Sequence, residues 1–131
     1  MDKRLNKYLL DTNILIYYFA DEIPPKELET IEDIFKTSFY ISVITRIEFL
    51  GWKKHTEKGY EKAKEFIGFS KVIYLTKKIA DRAIDIRREY RIKLPEAVIA
   101  ATASSKNLTP VTRNDDDFRD IQYLEIYNPF E

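Results

Sequence analysis

Cysteine is absent from this chain of 131 residues, and histidine occurs once. The absence of cysteine excludes disulfides, thiolate metal sites and cysteine nucleophiles, and it is compatible with a cytosolic protein. The one histidine, His55, lies in a polar stretch, so we expect it at the surface.

An excess of charge of either sign is also missing. Lys and Arg number 22 and Asp and Glu number 22, which gives a formal net charge of zero. A nucleic-acid binder that acts through overall basicity would show an excess of Lys and Arg. A polyanionic substrate would therefore have to be met by a local basic patch or through bound cations.

Long apolar runs are absent too. No stretch approaches the roughly 18 apolar residues of a membrane span, and the segment before Asp11 has no apolar core of signal-peptide length. Apolar residues make up 44% of the chain, with 9 Tyr and 8 Phe and only 3 Gly. We expect one packed domain over residues 1–131 in a cytoplasmic protein that does not enter a membrane.

Short apolar segments that read as strands alternate with segments of helical periodicity. This alternation predicts an α/β fold of three layers, α/β/α, with a central parallel sheet and helices on both faces. The sheet is expected to have five strands, namely Tyr8 to Leu10, Phe39 to Ile44, Val72 to Leu75, Leu108 to Thr112 and Tyr123 to Tyr127.

Two helix starts can be read from local signals. Thr45 and Glu48 have the S/T-x-x-E spacing of a capping box, which predicts a helix that begins after Thr45. Pro95 suits a first helical position, and the apolar run that follows it to Ala103 predicts a central helix buried against its neighbours.

Acidic residues follow the predicted strands or open the helices at four places: Asp11, Glu48, Glu96 and Asp115 to Asp117. Strand ends of one polarity meet at one edge of a parallel sheet, so these acids can gather there. Gathered carboxylates repel one another unless a divalent cation neutralises them, and oxygen ligands suit Mg²⁺ or Mn²⁺. Such a cation can activate water for phosphodiester hydrolysis.

Each acid also has an ordinary structural explanation. Asp11, Thr12 and Asn13 are all good N-cap residues. Glu48 can close its capping box, and Glu96 can interact favourably with the positive end of a helix dipole. The acidic run from Asp115 can be a solvated turn. The two kinds of explanation are compatible, because an acid can cap a helix and bind a metal.

Four segments, in order, resemble the four acidic motifs of the PIN domain family, in particular the VapC-like toxin ribonucleases of toxin-antitoxin pairs. The resemblance runs from Leu9 to Phe118. It implies a five-stranded parallel sheet and an endoribonuclease dependent on Mg²⁺ or Mn²⁺. The segments are LLDTNILIYYF, SVITRIEFLG, KLPEAVIAATA and TPVTRNDDDF.

The resemblance also implies roles for individual residues. Asp11, Glu96 and Asp117 match the metal ligands, and Glu48 matches a further catalytic acid, with Asn114 and Asp115 as neighbours of Asp117 that could assist. The third motif departs from the family, which reads L-P-D-A where this chain has Glu96, and an added methylene could displace the ligand or make it bind through water. The side chains able to position waters or phosphate oxygens are those of Thr12, Asn13, Thr112 and Asn114.

Partners follow from the same resemblance. PIN toxins are typically dimers bound to a small antitoxin, so the expected partners are an RNA substrate, an antitoxin protein and a second copy of this chain. An apolar groove for the antitoxin could be formed by Tyr17, Tyr18, Phe49 and Trp52. The local positive charge for an RNA backbone could come from Arg46, Lys53, Lys54 and Arg113.

Two other functions stay open on the sequence. One is a protein- or RNA-binding module on a PIN-like fold that has lost catalysis through the change at Glu96. The other is a magnesium-dependent phosphatase of the haloacid-dehalogenase type, which also has an Asp after its first strand. Those enzymes carry a second Asp two residues further on, where this chain has Asn13.

Overall fold

The computed structural model describes residues 6–131. The expectation that the segment before Asp11 has no signal-peptide core also concerns Met1 to Leu5, which lie outside the described residues. Strands and helices alternate along the chain as predicted. The strands are β1 (Tyr8–Leu10), β2 (Tyr40–Ser42), β3 (Lys71–Ile73) and β4 (Thr109–Val111). The helices are α1 (Thr12–Phe19), α2 (Pro25–Thr37), α3 (Val43–Leu50), α4 (Glu57–Ile67), α5 (Lys77–Glu89) and α6 (Leu94–Lys106).

The four strands form one parallel sheet in the order β3-β2-β1-β4. Strand β1 lies inside the sheet, and its residues Tyr8, Leu9 and Leu10 pair with Thr109, Pro110 and Val111 of β4. The chain adds β2 and β3 on one side of β1 and returns to place β4 on the other. The residues that follow β1 and β4, Asp11 and Thr112, are thereby brought together at the topological switch point where α/β sheets bind ligands.

The sheet separates two hydrophobic cores, which confirms the predicted α/β/α layering. Alternate residues of a strand point to opposite faces. Leu9 accordingly packs into the core formed with α5 and α6, whereas Leu10 packs into the core formed with α1 to α4. Both leucines are 0% exposed, so β1 is buried on both faces.

The predicted count of five strands is not confirmed. The segment expected to form the last strand makes a single parallel bridge, between Val111 and Tyr127. Tyr127 N–H donates to the Pro110 carbonyl at 2.9 Å and Thr112 N–H donates to the Tyr127 carbonyl at 3.0 Å. The next donor toward this segment would be the N–H of residue 110. Proline has none, and the ladder stops there.

The helix after β2 begins earlier than the capping box predicted. Ser42 is the N-cap of α3, and its hydroxyl accepts from Ile44 N–H. Thr45 is instead a fully buried residue inside the helix, and Glu48 lies near its end. The β-branched residues Val43 and Ile44 suggested a longer strand, but strand propensity is weaker than a good cap combined with burial of a helix face.

Helix α6 is the buried helix that the sequence predicted. Pro95 lies in its first turn, and the residues from Ala97 to Ala103 are all buried. Asn107 ends the helix in the left-handed conformation, with φ of 58°, as is common for a residue just past a helix C-terminus. Among residues 6–131 no helix is both long enough and apolar enough to span a membrane.

Candidate active site

Asp11 is the centre of the site and is held from three directions. Its own N–H continues the sheet by donating to the Val111 carbonyl at 2.9 Å. Oδ1 accepts from Thr12 N–H at 2.8 Å, which makes Asp11 the N-cap of α1. Oδ2 accepts from the Thr112 hydroxyl at 2.8 Å and from Asn13 Nδ2 at 3.0 Å. These hydrogen bonds fix the rotamer of a carboxylate that is only 7% exposed.

The environment of Asp11 opposes its negative charge. The pKa of this carboxyl is raised from 3.8 to about 6; burial is the largest cause, and the nearby charges of Glu48 and Glu96 act in the same direction. Hydrogen bonds from Thr112 and from the backbone of Thr12 act in the opposite direction and limit the rise in pKa. Glu48 and Glu96, the latter 85 positions away in the sequence, are thus close enough to repel the charge of Asp11, as the gathering of strand ends predicted.

Glu48 reaches this centre from α3. Its Oε1 accepts from the Thr12 hydroxyl at 2.7 Å, and Thr12 Oγ1 also lies 3.3 Å from the hydroxyl of Thr45. Thr12 therefore connects the backbone next to Asp11 with the carboxylate of Glu48. The contact exists because α1 and α3 pack side by side on the same face of the sheet.

Glu96 lies in the first turn of α6, half-buried. Its Oε2 is buried and has no hydrogen-bond partner within residues 6–131. A buried acceptor on a carboxylate is costly when it is unpaired. An additional cation or proton donor at this atom would remove that cost.

The acidic turn after β4 is a 3₁₀ helix over Asp115–Asp117. Asp115 accepts from Asn128 Nδ2 at 3.3 Å and lies 3.7 Å from Arg119, and Asp116 forms an ion pair with Arg119. Asp117 is exposed, and no ion pair to its carboxylate is found in the part of the chain that the structure describes. Its charge is not among the causes of the Asp11 pKa shift, so the role expected for Asp117 stays a prediction.

The polar residues predicted to assist form a connected network. Asn13 Nδ2 contacts Asp11 and, at 3.3 Å, the Thr112 hydroxyl, while its Oδ1 accepts from Arg113 N–H at 3.1 Å. Asn114 N–H donates to the Thr112 hydroxyl at 3.0 Å. The buried Thr112 hydroxyl therefore donates to the acid and accepts from its neighbours.

Asn128 also belongs to this network, although the sequence analysis did not single it out. Its Nδ2 donates to the Arg113 carbonyl at 3.1 Å as well as to Asp115, and its Oδ1 accepts from Phe130 N–H at 2.8 Å. A signal was present in the sequence. Asn128 follows the last predicted strand, so the rule that selected Asp11 would also have placed it at this edge of the sheet.

Two predictions about surfaces turned out differently. Phe49 is 0% exposed in the core, so it cannot line a groove, whereas Tyr17, Tyr18 and Trp52 are half-buried. His55 is also half-buried rather than fully at the surface, with Nε2 at 2.7 Å from the Phe49 carbonyl. The basic residues proposed to meet RNA are all exposed, namely Arg46, Lys53, Lys54 and Arg113.

The arrangement fits a cation that keeps much of its water shell. Within residues 6–131, no group of three or more acidic or histidine side chains is gathered closely enough to hold a metal ion. Mg²⁺ is often held by only one or two carboxylates together with waters. The raised pKa of Asp11 and the unpaired buried oxygen of Glu96 are the two features that such a cation would relieve.

Fold and site together define an α/β protein with an acidic site at the carboxyl edge of a parallel sheet. The chain belongs to the PIN domain family, whose model matches residues 8–123. The resemblance expected from the four motifs is therefore confirmed.

Individual relatives agree with this assignment. The chain is 28% identical to a protein named ribonuclease VapC2 from Methanocaldococcus jannaschii, over 92% of this chain and 93% of that protein. A toxin-antitoxin complex from Klebsiella pneumoniae contains a chain that is 32% identical, with a TM-score of 0.78 over 95% of this chain and 99% of that one. VapBC2 from Rickettsia felis, bound to a promoter DNA fragment, gives 26% identity and a TM-score of 0.77 over 92% and 97% of the two chains.

Proposed function

We propose that this chain is an endoribonuclease that hydrolyses RNA phosphodiester bonds with a bound Mg²⁺ or Mn²⁺, and that it is the toxin of a toxin-antitoxin pair. The observation that supports this most directly is the site at Asp11. A buried carboxylate with a pKa raised to about 6 is close to two further acids, and Glu96 has an unpaired buried oxygen. The name of the VapC2 relative supports ribonuclease activity in particular.

In this proposal Asp11 and Glu96 hold the metal directly, and Asp117, which is exposed in the turn after β4, completes the site through a bound water. When bound, the cation would polarise the scissile phosphate and supply a water of lowered pKa for in-line attack. Asp117 is the acid proposed from its turn because Asp115 and Asp116 are engaged with Arg119.

The remaining residues position the acids. Thr112 and Asn13 fix the carboxylate of Asp11 by hydrogen bonds to Oδ2. Thr12 holds Glu48, which contributes as a catalytic acid directly or through a water molecule. Asn114 is exposed beside Thr112 and is proposed to position substrate oxygens.

Cleavage of a panel of structured RNAs tests the proposal. The wild type should cleave RNA with Mg²⁺ or Mn²⁺ and should not cleave it in EDTA. Asp11→Asn should lower the cleavage rate by at least about a hundredfold. Glu96→Asp, which introduces the shorter acid, reports whether the glutamate limits the rate. Asp33→Asn, an exposed position on α2, is the matched control and should leave the rate unchanged. Equal cleavage by wild type and Asp11→Asn would remove the proposed role of that acid.

The alternative of a binding module without catalysis predicts intact RNA in every arm of this experiment. The phosphatase alternative is disfavoured by the site, since Asn13 uses its amide to contact Asp11 and the backbone of Arg113. An acid at that position would place a third negative charge beside Asp11.

The proposed partners are a small antitoxin protein and a second copy of this chain. The antitoxin is supported by the structural relatives, which are toxin-antitoxin complexes. Light scattering of the purified chain tests the homodimer, because a monomer has a mass of 15.6 kDa and a dimer twice that mass.

A further inference from the structure

Arg113 is distinguished by what holds its side chain. The guanidinium carbon lies 4.9 Å from the ring centroid of Tyr17 and 4.4 Å from that of Phe130. These two rings contact each other, with centroids 5.0 Å apart and planes inclined at 57°. A cation over aromatic faces at such distances is held by the ring quadrupoles.

The backbone of Arg113 is fixed to the acidic site. Its N–H donates to Asn13 Oδ1, and the same amide group donates from Nδ2 to Asp11. Its carbonyl accepts from Asn128, which also accepts from Phe130 N–H. One asparagine thus positions both the arginine and one of the rings beneath it.

Helix geometry places the guanidinium near Asp11. Asn13 and Tyr17 are four residues apart on α1, so they are neighbours on one face of the helix, with Cβ atoms about 5–6 Å apart. Asn13 contacts the acid and Tyr17 contacts the guanidinium. The cation therefore lies about one helical turn along α1 from the residue that holds Asp11.

The rings also leave the donors of Arg113 available. In the described residues, no carboxylate lies within 4 Å of its guanidinium nitrogens, although four acids are predicted to act nearby. Aromatic faces offer no acceptor that would occupy the N–H groups. They attract the cation without neutralising it, so it does not pair with the acids that would bind a metal.

We infer that Arg113 is a phosphate-contacting residue for RNA at this site, and that Tyr17 and Phe130 are positioning residues that hold its guanidinium. This inference rests on the proposed function. A planar guanidinium suits a phosphate because it can donate two parallel hydrogen bonds. It also supplies positive charge beside an acidic centre, in a chain whose formal net charge is zero.

Binding of a fluorescein-labelled single-stranded RNA of mixed sequence, followed by fluorescence anisotropy in EDTA over a series of salt concentrations, tests the inference without requiring cleavage. Arg113→Gln should raise Kd about tenfold. It should also reduce the slope of log Kd against log salt by about 0.7, because one phosphate contact is lost. Arg113→Lys keeps the charge but loses the planar fork, so it should restore the slope and only part of the affinity.

The positioning residues have a different signature. Phe130→Leu keeps an apolar side chain but removes the ring, so Kd should rise several-fold while the salt slope stays at the wild-type value. Lys106→Gln is the charge-matched control. Lys106 is exposed in the last turn of α6 and lines a surface cavity with Lys7, which precedes β1. It is therefore at the opposite edge of the sheet from Asp11, and both Kd and slope should match the wild type.

Several results would overturn the inference. An unchanged Kd for Arg113→Gln would show that the guanidinium does not contact RNA. A higher Kd with an unchanged slope would show a structural role, and an equal effect of Lys106→Gln would show that overall charge, rather than a contact at this site, determines the affinity. Cleavage by the wild type in Mn²⁺ is measured in parallel. If RNA stays intact while Arg113→Gln weakens binding, the nuclease proposal fails and the RNA contact stands. If the wild type cleaves RNA while Arg113→Gln binds it unchanged, the RNA contact fails and the nuclease proposal stands.

Discussion

Ionised Asp11 should destabilise the metal-free protein, and lowering the pH from 7 to 5 should therefore stabilise it. Burial and the charges of Glu48 and Glu96 raise the pKa of Asp11 from 3.8 to about 6. The folded state consequently binds more protons than the unfolded state between these two values. Stability contributed by protonated Asp11 is complete below the unfolded pKa and is lost as the pH rises through the folded pKa.

The size of the effect follows from the shift. Each pKa unit corresponds to about 1.36 kcal/mol, so a rise of roughly two units costs about 3 kcal/mol once Asp11 is fully ionised. Lowering the pH from 7 to 5 recovers only part of this, roughly 1–1.5 kcal/mol, because the full gain is reached only when the pH falls below the pKa of the unfolded state. A bound divalent cation favours the ionised carboxylate and should flatten or reverse this dependence.

Urea unfolding in EDTA at pH values from 5 to 7 measures this dependence, and Asp11→Asn isolates the contribution of the one group. The variant loses good hydrogen bonds from Thr112 and Asn13, so the slope of stability against pH is the diagnostic quantity rather than the absolute free energy of unfolding. Asp33→Asn should keep the wild-type slope. If wild type and Asp11→Asn show the same slope over this range, the pKa of Asp11 is not raised and the electrostatic argument for the site is wrong.

The remaining predictions concern three neighbouring points. Glu96→Gln should lower the pKa of Asp11, since one repelling charge is removed, and should weaken Mg²⁺ binding at least about tenfold, measured by calorimetry. A wild-type Mg²⁺ affinity would contradict a ligand role for Glu96. Thr112→Val removes a buried 2.8 Å hydrogen bond to Asp11, so it should destabilise the fold by about 1–3 kcal/mol in urea and raise the Asp11 pKa further. A lowered Asp11 pKa would refute that account. Thr56→Ala removes the cap of α4, where the hydroxyl accepts from Gly59 N–H. The free energy of unfolding should fall by about 1 kcal/mol with no change in any RNA cleavage, and Thr56→Ser should retain the wild-type stability because its hydroxyl can still cap the helix.

The layers of the fold were predictable because they depend on local patterns. Strand β1 has the predicted bounds, and α6 has the predicted proline start and apolar run. These features depend on periodicity and on residues within one helical turn, which the sequence displays directly. The errors arose where a distant partner decides. Pro110 ends pairing with a segment 17 residues away, and Ser42 caps α3 before Thr45 can.

The site divides in the same way. The sequence by itself determined that acids follow strands and open helices, and this singled out four places: Asp11, Glu48, Glu96 and Asp115 to Asp117. Only the tertiary structure decided how they meet: Thr12 reaches Glu48 because α1 packs on α3, and Asp11 meets Thr112 because the chain crosses the sheet before adding β4. It also decided that Asn128 donates a hydrogen bond to the Arg113 carbonyl and that the Phe130 ring packs against the Arg113 guanidinium. Hydrogen bonds between residues about a hundred positions apart depend on strand order and helix packing, which are properties of the whole chain.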